Sequence, residues 1–246
     1  MVSRKPDQRR ALIPGWLWAV IGLLGVGVVI AAVSGSTSDS KAAFVPAEVA
    51  VAKVASLPVY AAPNGQLTHS LPNPDPTNYN QPQISLVLVD QGGWLKLSLP
   101  LPPNGQTGWV RRTQVTVEQN DYRVDVARSA HQLRVYRDNV LQKTYPIAVG
   151  KADTPTPGGT YFIKVLLKPP NPHGDYGPYA YGLSGYSSVL TNFDGGTGVI
   201  GMHGTNEPQV IGHDASHGCI RLRNADITDL YLRFHLKLGT PVRILA

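Results

Sequence analysis

At 246 residues with 42% hydrophobic content, the chain has room for one or two domains and the apolar share of an ordinary globular protein. Its formal charge of +6 invites a nucleic-acid reading, but Arg4, Lys5, Arg9 and Arg10 against Asp7 place half of that charge in the first ten residues. The remainder forms no Lys/Arg stripe, which argues against a nucleic-acid partner and leaves solubility or attraction to an anionic surface as its meaning.

Residues 1–10 read as a basic cytoplasmic tail. From Ala11 to Val33 the chain is almost wholly apolar apart from glycines and Pro14. As helix, at about 1.5 Å per residue, residues 11–33 reach roughly 35 Å and cover a hydrocarbon core of roughly 30 Å. Trp16 and Trp18 near its start suit a membrane interface, and the basic cluster before it keeps the N-terminus in the cytoplasm. The expectation is a single-pass membrane anchor with everything after Val33 outside. A cleaved secretory signal is the alternative, favoured by the small residues around Ala31-Ala32-Val33 but opposed by the length of the apolar run. Both readings export the protein, and an exported chain with one cysteine cannot use Cys219 in an internal disulfide. That thiol is then a small buried hydrophobe, an intermolecular link or a reactive group.

Residues 34–43, rich in Ser and Gly, read as a flexible linker. Residues 44–119 show short β-type runs at Leu57–Tyr60, Ile84–Val89, Trp94–Leu99, Gly108–Val110 and Val115–Val117, separated by Pro, Gly and Asn, and suggest a small barrel. The pairing of Gly93-Trp94-Leu95-Lys96-Leu97 with Gly108-Trp109-Val110 resembles bacterial SH3-like modules, which implies contact with the cell wall. Trp94 and Trp109 are read as packing residues rather than ligand contacts.

Strand signals resume at Tyr122–Ala127, Gln132–Tyr136, Lys143–Val149 and Thr160–Leu167, with a hairpin turn at Arg137-Asp138-Asn139-Val140. Between Lys168 and Ser188 prolines, glycines and four tyrosines suggest a flap over an active site. Ile227, Leu230, Tyr231, Phe234 and Leu238 then line one helical face, with Asn224 as N-cap and Gly239 and Pro241 as the stop, before a final strand at Pro241–Ile244.

Two blocks carry the chemistry: Ile200-Gly201-Met202-His203-Gly204-Thr205-Asn206 and Ser216-His217-Gly218-Cys219-Ile220-Arg221-Leu222. Their spacing, with Thr154-Pro155-Thr156-Pro157-Gly158 and Asn224-Ala225-Asp226, resembles the L,D-transpeptidase catalytic domain, the YkuD family, over residues 120–246. The fold class that follows is mainly β: an N-terminal transmembrane helix, a small SH3-like β-barrel, then a β-rich YkuD-like sandwich with a short C-terminal helix. A thiol beside an imidazolium has its pKa lowered to about 3.5–7.5, so Cys219 is expected as nucleophile and His203 as its base.

The resemblance implies that the backbone carbonyl of Gly204 orients His203, and that the N–H groups of Gly218 and Cys219 form an oxyanion hole. His217 matches the family's second histidine and either supports the thiol or the donor, or makes a structural hydrogen bond. Arg221 suits a substrate carboxylate or a structural ion pair. Tyr181, Tyr186 and Ser216 are expected at the substrate, although Ser216 also reads as a turn residue. No cofactor and no metal is expected; His203, His217 and Cys219 are conceivable zinc ligands, but no zinc-site spacing accompanies them.

By the same resemblance the partners are peptidoglycan stem peptides, and the activity is L,D-transpeptidation giving 3→3 cross-links through a Cys219 thioester, on the face of the membrane turned to the cell wall. An L,D-carboxypeptidase using the same site and a non-catalytic wall-binding scaffold are the alternatives.

Overall fold

In a strand, successive side chains point to opposite faces, so alternating apolar residues build a sheet with one buried side. Leu133 and Val135 are wholly buried while Gln132, Arg134 and Tyr136 between them stay half open. Leu95 and Leu97 repeat the pattern against Trp94, Lys96 and Ser98. The computed structural model describes residues 45–191 and 197–246, and these belong to one compact unit. The segment 11–33, expected to cross a membrane, lies outside the described residues, as do the linker 34–43 and the tail 1–10. Among the described residues no helix is long and apolar enough to cross a membrane.

Seven strands come from the first part of the chain: β1 (Ala47–Ala52), β2 (Ser56–Tyr60), β3 (Leu67–Pro72), β4 (Ile84–Asp90), β5 (Trp94–Ser98), β6 (Thr107–Arg111) and β7 (Val115–Asn120). They pair in the order β3-β2-β6-β5-β4-β1-β7. The Trp94 and Trp109 segments are neighbours, with Lys96 opposite Trp109 and Leu95 opposite Val110.

The second part supplies β8 (Tyr122–Ala127), β9 (Gln132–Arg137), β10 (Val140–Pro146), β11 (Val149–Gly150), β12 (Gly159–Leu167), β13 (Ala180–Tyr186), β14 (Val199–His203), β15 (Asp214–Ser216), β16 (Ile220–Arg221) and β17 (Pro241–Leu245), with the helix α1 (Asn224–Phe234) before β17. Eight of them form a mixed sheet in the order β10-β9-β8-β17-β12-β13-β14-β16, and β11 pairs with β15 alone. Asp138 and Asn139 have φ of 51° and 61°, the left-handed pair that a two-residue hairpin demands. The second part is thus mainly β with one short helix.

Three expectations are corrected. Ala180–Tyr186 is a strand buried along its whole length, so only the part of the expected flap before it is irregular. The helix ends at Phe234, where His235 takes φ of 46°, and Leu238 lies beyond it although its spacing continues the apolar face. Arg223, not Asn224, holds the N-cap position; the Asn224 side chain is engaged elsewhere.

The two sheets share a core. Phe162 from β12 is 0% exposed and packs with Val49, Ile84 and Leu86 of the first sheet. Polar clasps reinforce this seam: Asn104 donates to the Tyr186 carbonyl and accepts from the Tyr186 N–H, each at 2.8 Å, and Tyr186 Oη donates to the Pro100 carbonyl at 2.7 Å. Asn120 reaches Thr240 Oγ1 at 3.0 Å. Because Phe162 fills a seam lined by both parts, Phe162→Ala should cost about 3–5 kcal/mol, read as a lowered urea midpoint. A loss below about 1 kcal/mol would mean that the seam contributes little.

Candidate active site

The site is built where β14 and β16 run side by side. Their parallel pairing sets Met202 opposite Ile220 and His203 opposite Arg221, and the Leu222 N–H donates to the His203 carbonyl at 2.9 Å. Cys219, one residue before β16, is therefore brought to the level of Gly201, whose N–H donates to Cys219 Sγ at 3.4 Å. A Cβ at Gly201 would lie 3.6 Å from His203 Cδ2 and 3.9 Å from Cys219 Sγ. Imidazole edge and thiol thus flank one small gap, which glycine leaves open. Both side chains line a cavity of about 450 Å³ shared with Tyr176, His217 and Arg221.

The turn that delivers Cys219 is held by hydroxyls. Ser216 Oγ donates to the Cys219 carbonyl at 2.5 Å and accepts from the Gly218 N–H at 3.1 Å. Thr156 Oγ1 donates to the Gly218 carbonyl at 2.9 Å and accepts from the Gly150 N–H at 2.8 Å. Thr154 Oγ1 donates to the Ser216 carbonyl at 3.3 Å. Gly218 has φ of +115°, a conformation that residues with a Cβ rarely adopt.

His203 is 4% exposed. Its Nδ1 lies 2.6 Å from the Gly204 carbonyl oxygen. That oxygen can only accept, so Nδ1 carries the proton and Nε2 presents a lone pair. Burial pushes the imidazole down to about 4; the Gly204 carbonyl pulls it up, Arg221 pushes it further down, and Asp175 opposes through both its charge and its backbone carbonyl. Burial also pushes the Cys219 thiol up, against the smaller effects of the Gly201 N–H and Arg221. Desolvation therefore works against charge on both members of the pair. That direction is opposite to the lowering expected of a thiol beside an imidazolium, because burial penalises both charged forms.

The structure brings His203, Ser216, His217, Cys219 and Arg221 around one cavity, with Gly204 behind the imidazole. His217 is exposed there, while Ser216 is fully buried and spends its hydroxyl on the turn. Gly218 is in the turn, but its N–H is given to Ser216 Oγ and not turned toward a substrate. Arg221 pairs with Glu207 Oε2 at 2.7 Å, the structural ion pair of its two readings. Tyr181 and Tyr186 are not at the cavity surface: Tyr181 is 1% exposed, and the Tyr186 hydroxyl is held by Pro100 in the seam.

Several cavity and supporting residues have no individual signal in the sequence. Tyr176, read only as part of a flap, places its ring centroid 4.8 Å from that of His203. Asp175, Ser187 and Leu190 also line the cavity. Thr156 belongs to the Thr154–Gly158 motif, yet its grip on Gly218 depends on a contact far along the chain. Among the described residues no three His, Cys, Asp or Glu side chains converge as a metal site would require.

Comparison with known proteins fits this geometry. Residues 121–244 match the YkuD family, the L,D-transpeptidase catalytic domain. Over 109 residues the chain is 41% identical to the YkuD protein of Bacillus licheniformis, covering 44% of this chain and 58% of that protein's length. It is 30% identical over 126 residues to YqjB of Bacillus subtilis, covering 49% of this chain and 69% of that one. Both relatives bear the name of candidate L,D-transpeptidases. The solved structure of Bdellovibrio bacteriovorus Bd1075 aligns over 51% of this chain and 47% of that chain, at 27% identity and a TM-score of 0.41.

A raised thiol pKa has a direct signature. Alkylation of Cys219 by iodoacetamide should climb with pH through neutrality and continue above the ordinary thiol range near 8.5, because only the thiolate reacts. A rate already on its plateau in mild acid would contradict the upward shift.

Proposed function

The chain belongs to the L,D-transpeptidase catalytic domain family, and from that premise we propose that it is a peptidoglycan L,D-transpeptidase that forms 3→3 cross-links through a thioester on Cys219. The observation that carries this reading is the shared gap at Gly201, where a buried imidazole with its Nε2 lone pair and the chain's one thiol line the same cavity.

In the first half-reaction Cys219 Sγ attacks the carbonyl of the third, diamino acid residue of a donor tetrapeptide stem. His203 Nε2 takes the thiol proton as the S–C bond forms, so charge appears only as it is used. Collapse of the tetrahedral intermediate breaks the C–N bond to the terminal D-alanine, and His203 returns the proton to the leaving amine. In the second half-reaction a side-chain amine of another stem attacks the thioester, and the thiol is regenerated. Water in place of the amine gives L,D-carboxypeptidase activity at the same site.

Because the Gly218 N–H is engaged by Ser216, the Cys219 N–H is the backbone donor left to this proposal for the developing oxyanion. Engagement of Arg221 with Glu207 makes its role in donor binding conditional on exchange of one carboxylate for another. His217, exposed at the cavity, is assigned to the donor stem.

We also propose the division into an anchor at 11–33, a wall-facing module at 44–119 and the catalytic domain at 120–246. The module's support is one sheet face on which cross-strand register gathers Tyr60, Trp94, Lys96, Trp109 and Arg111. Arg111 stacks 4.6 Å over the Trp94 ring. Against the pure packing role expected from the sequence, Trp94 and Trp109 stay half-buried, and half-buried aromatics with cations among them suit a polymer that carries both sugar faces and anionic groups.

Intact-protein mass measurement tests the reaction. Incubation with a tetrapeptide stem, or with a carbapenem, should add one acyl group to the wild type and none to Cys219→Ala. His203→Ala should slow acylation by about 10²–10⁴-fold. An adduct that survives Cys219→Ala, or an unchanged rate in His203→Ala, would overturn the assignment. The ratio of cross-linked to hydrolysed product in the same mixture separates transpeptidase from carboxypeptidase.

A further inference from the structure

Asn224 is the first residue of α1, one position past the N-cap Arg223, and is the residue type expected to cap. Its Oδ1 instead accepts from the Thr205 N–H at 2.9 Å. Thr205 N–H and Gly204 C=O are the two ends of one peptide unit, and a peptide unit is planar and rigid. Whatever fixes the N–H therefore fixes the carbonyl that holds His203 Nδ1. The chain of groups runs His203 Nδ1–H, Gly204 C=O, Thr205 N–H, Asn224 Oδ1, and each bond polarises the next.

The same oxygen is wedged between two loops. A Cβ on either Gly204 or Gly177 would come within 2.3 Å of Asn224 Oδ1, and Gly177 lies against the Gly204 backbone. Gly177 also has φ of +63°, which suits glycine for a separate reason. The loop that ends at Gly177 carries Asp175 and Tyr176, and Tyr176 faces His203 from the cavity side. A second bond ties the loops together, from Asn206 Nδ2 to Asp175 Oδ1 at 2.7 Å. Asn224 is itself secured by Thr228 Oγ1, which donates to its carbonyl at 2.7 Å.

We propose that Asn224 is the positioning residue of the site: through one peptide unit it orients the Gly204 carbonyl that sets the His203 tautomer, and through its bulk it seats the Tyr176 loop over the same ring. The proposal rests on His203 acting as the base of Cys219, but its test does not need a substrate. The charged groups facing His203 are Asp175 on the preceding loop and Arg221 on β16, the latter already paired with Glu207. Arg223 and Asp226 flank Asn224 on the helix.

The test uses the full chain with nitrogen-15 in its histidines, read by two-dimensional NMR, together with the iodoacetamide rate of Cys219 across pH. In Asn224→Ala the Gly204–Thr205 peptide is released. His203 should then populate both tautomers in place of the Nδ1–H form, and alkylation at neutral pH should fall about tenfold, the worth of a buried hydrogen bond of roughly 1.4 kcal/mol. Asn224→Asp keeps the shape and the acceptor and adds charge at the far end of the relay. It should preserve the Nδ1–H tautomer and raise the His203 pKa from its low value.

A melting temperature lowered in Asn224→Ala with tautomer and alkylation profile unchanged would overturn the proposal, because that is what a purely structural asparagine does. If Asn224→Ala does not fold, Asn224→Asp decides: an unmoved His203 pKa overturns the relay, and a raised one supports it. Failure of stem-peptide acylation with these His203 responses intact would count against the reaction assigned above and not against the positioning role.

Discussion

Desolvation of His203 is the constraint on which the site depends. An imidazole with 4% exposure holds a positive charge only at a desolvation cost, and the Gly204 carbonyl at 2.6 Å engages Nδ1 without supplying a full counter-charge. A carboxylate in that position would favour the imidazolium and, through it, the thiolate. The carbonyl does not favour the charged pair, and in the proposed reaction the thiol proton passes to His203 as the bond to carbon forms. Among the described residues no carboxylate bonds to the ring, and the Gly204–Thr205 peptide links its carbonyl partner to Asn224 at the start of the helix.

The rest of the fold serves this small gap from two sides. Cys219 is delivered by a turn whose carbonyls and N–H groups are pinned by Ser216, Thr154 and Thr156, and its height is set by pairing between β14 and β16. Further out, the first sheet buttresses the second through Phe162 and the Asn104–Tyr186 clasp. Tyr186 is followed directly by Ser187, which lines the cavity. A module read as an attachment for the wall therefore also packs against the element leading into the site. Its removal would expose Phe162 and strip the partners from Tyr186, a heavier consequence than its position in the sequence suggests.

How much of this was legible in the sequence follows from where the determining contacts lie. Tyr122–Ala127 and the Asp138-Asn139 turn declared themselves because alternation and left-handed turn residues are local. The strand Ala180–Tyr186 did not, since its tyrosines and glycines look like a loop. Gly182 is small because Val165 lies across from it: a Cβ there would come within 2.2 Å of the Val165 side chain. The strand β3, Leu67–Pro72, was hidden by its exposed and polar composition. Asn224 looked like a cap because caps are the common fate of asparagine before a helix; its acceptor went to Thr205, nineteen positions earlier. Pairing of His203 with Cys219 was legible only through the two motifs, and their protonation was not, because burial is set by the assembled sheet.

The chain's one cysteine makes the thiol proton directly observable. An infrared S–H stretching band can arise only from Cys219. With the thiol pKa pushed up by burial, the band should be present at neutral pH, persist in His203→Ala, and disappear only as pH rises beyond the ordinary thiol range. A resting protein with no S–H band at neutral pH, in which the band appears on acidification, would contradict that upward shift.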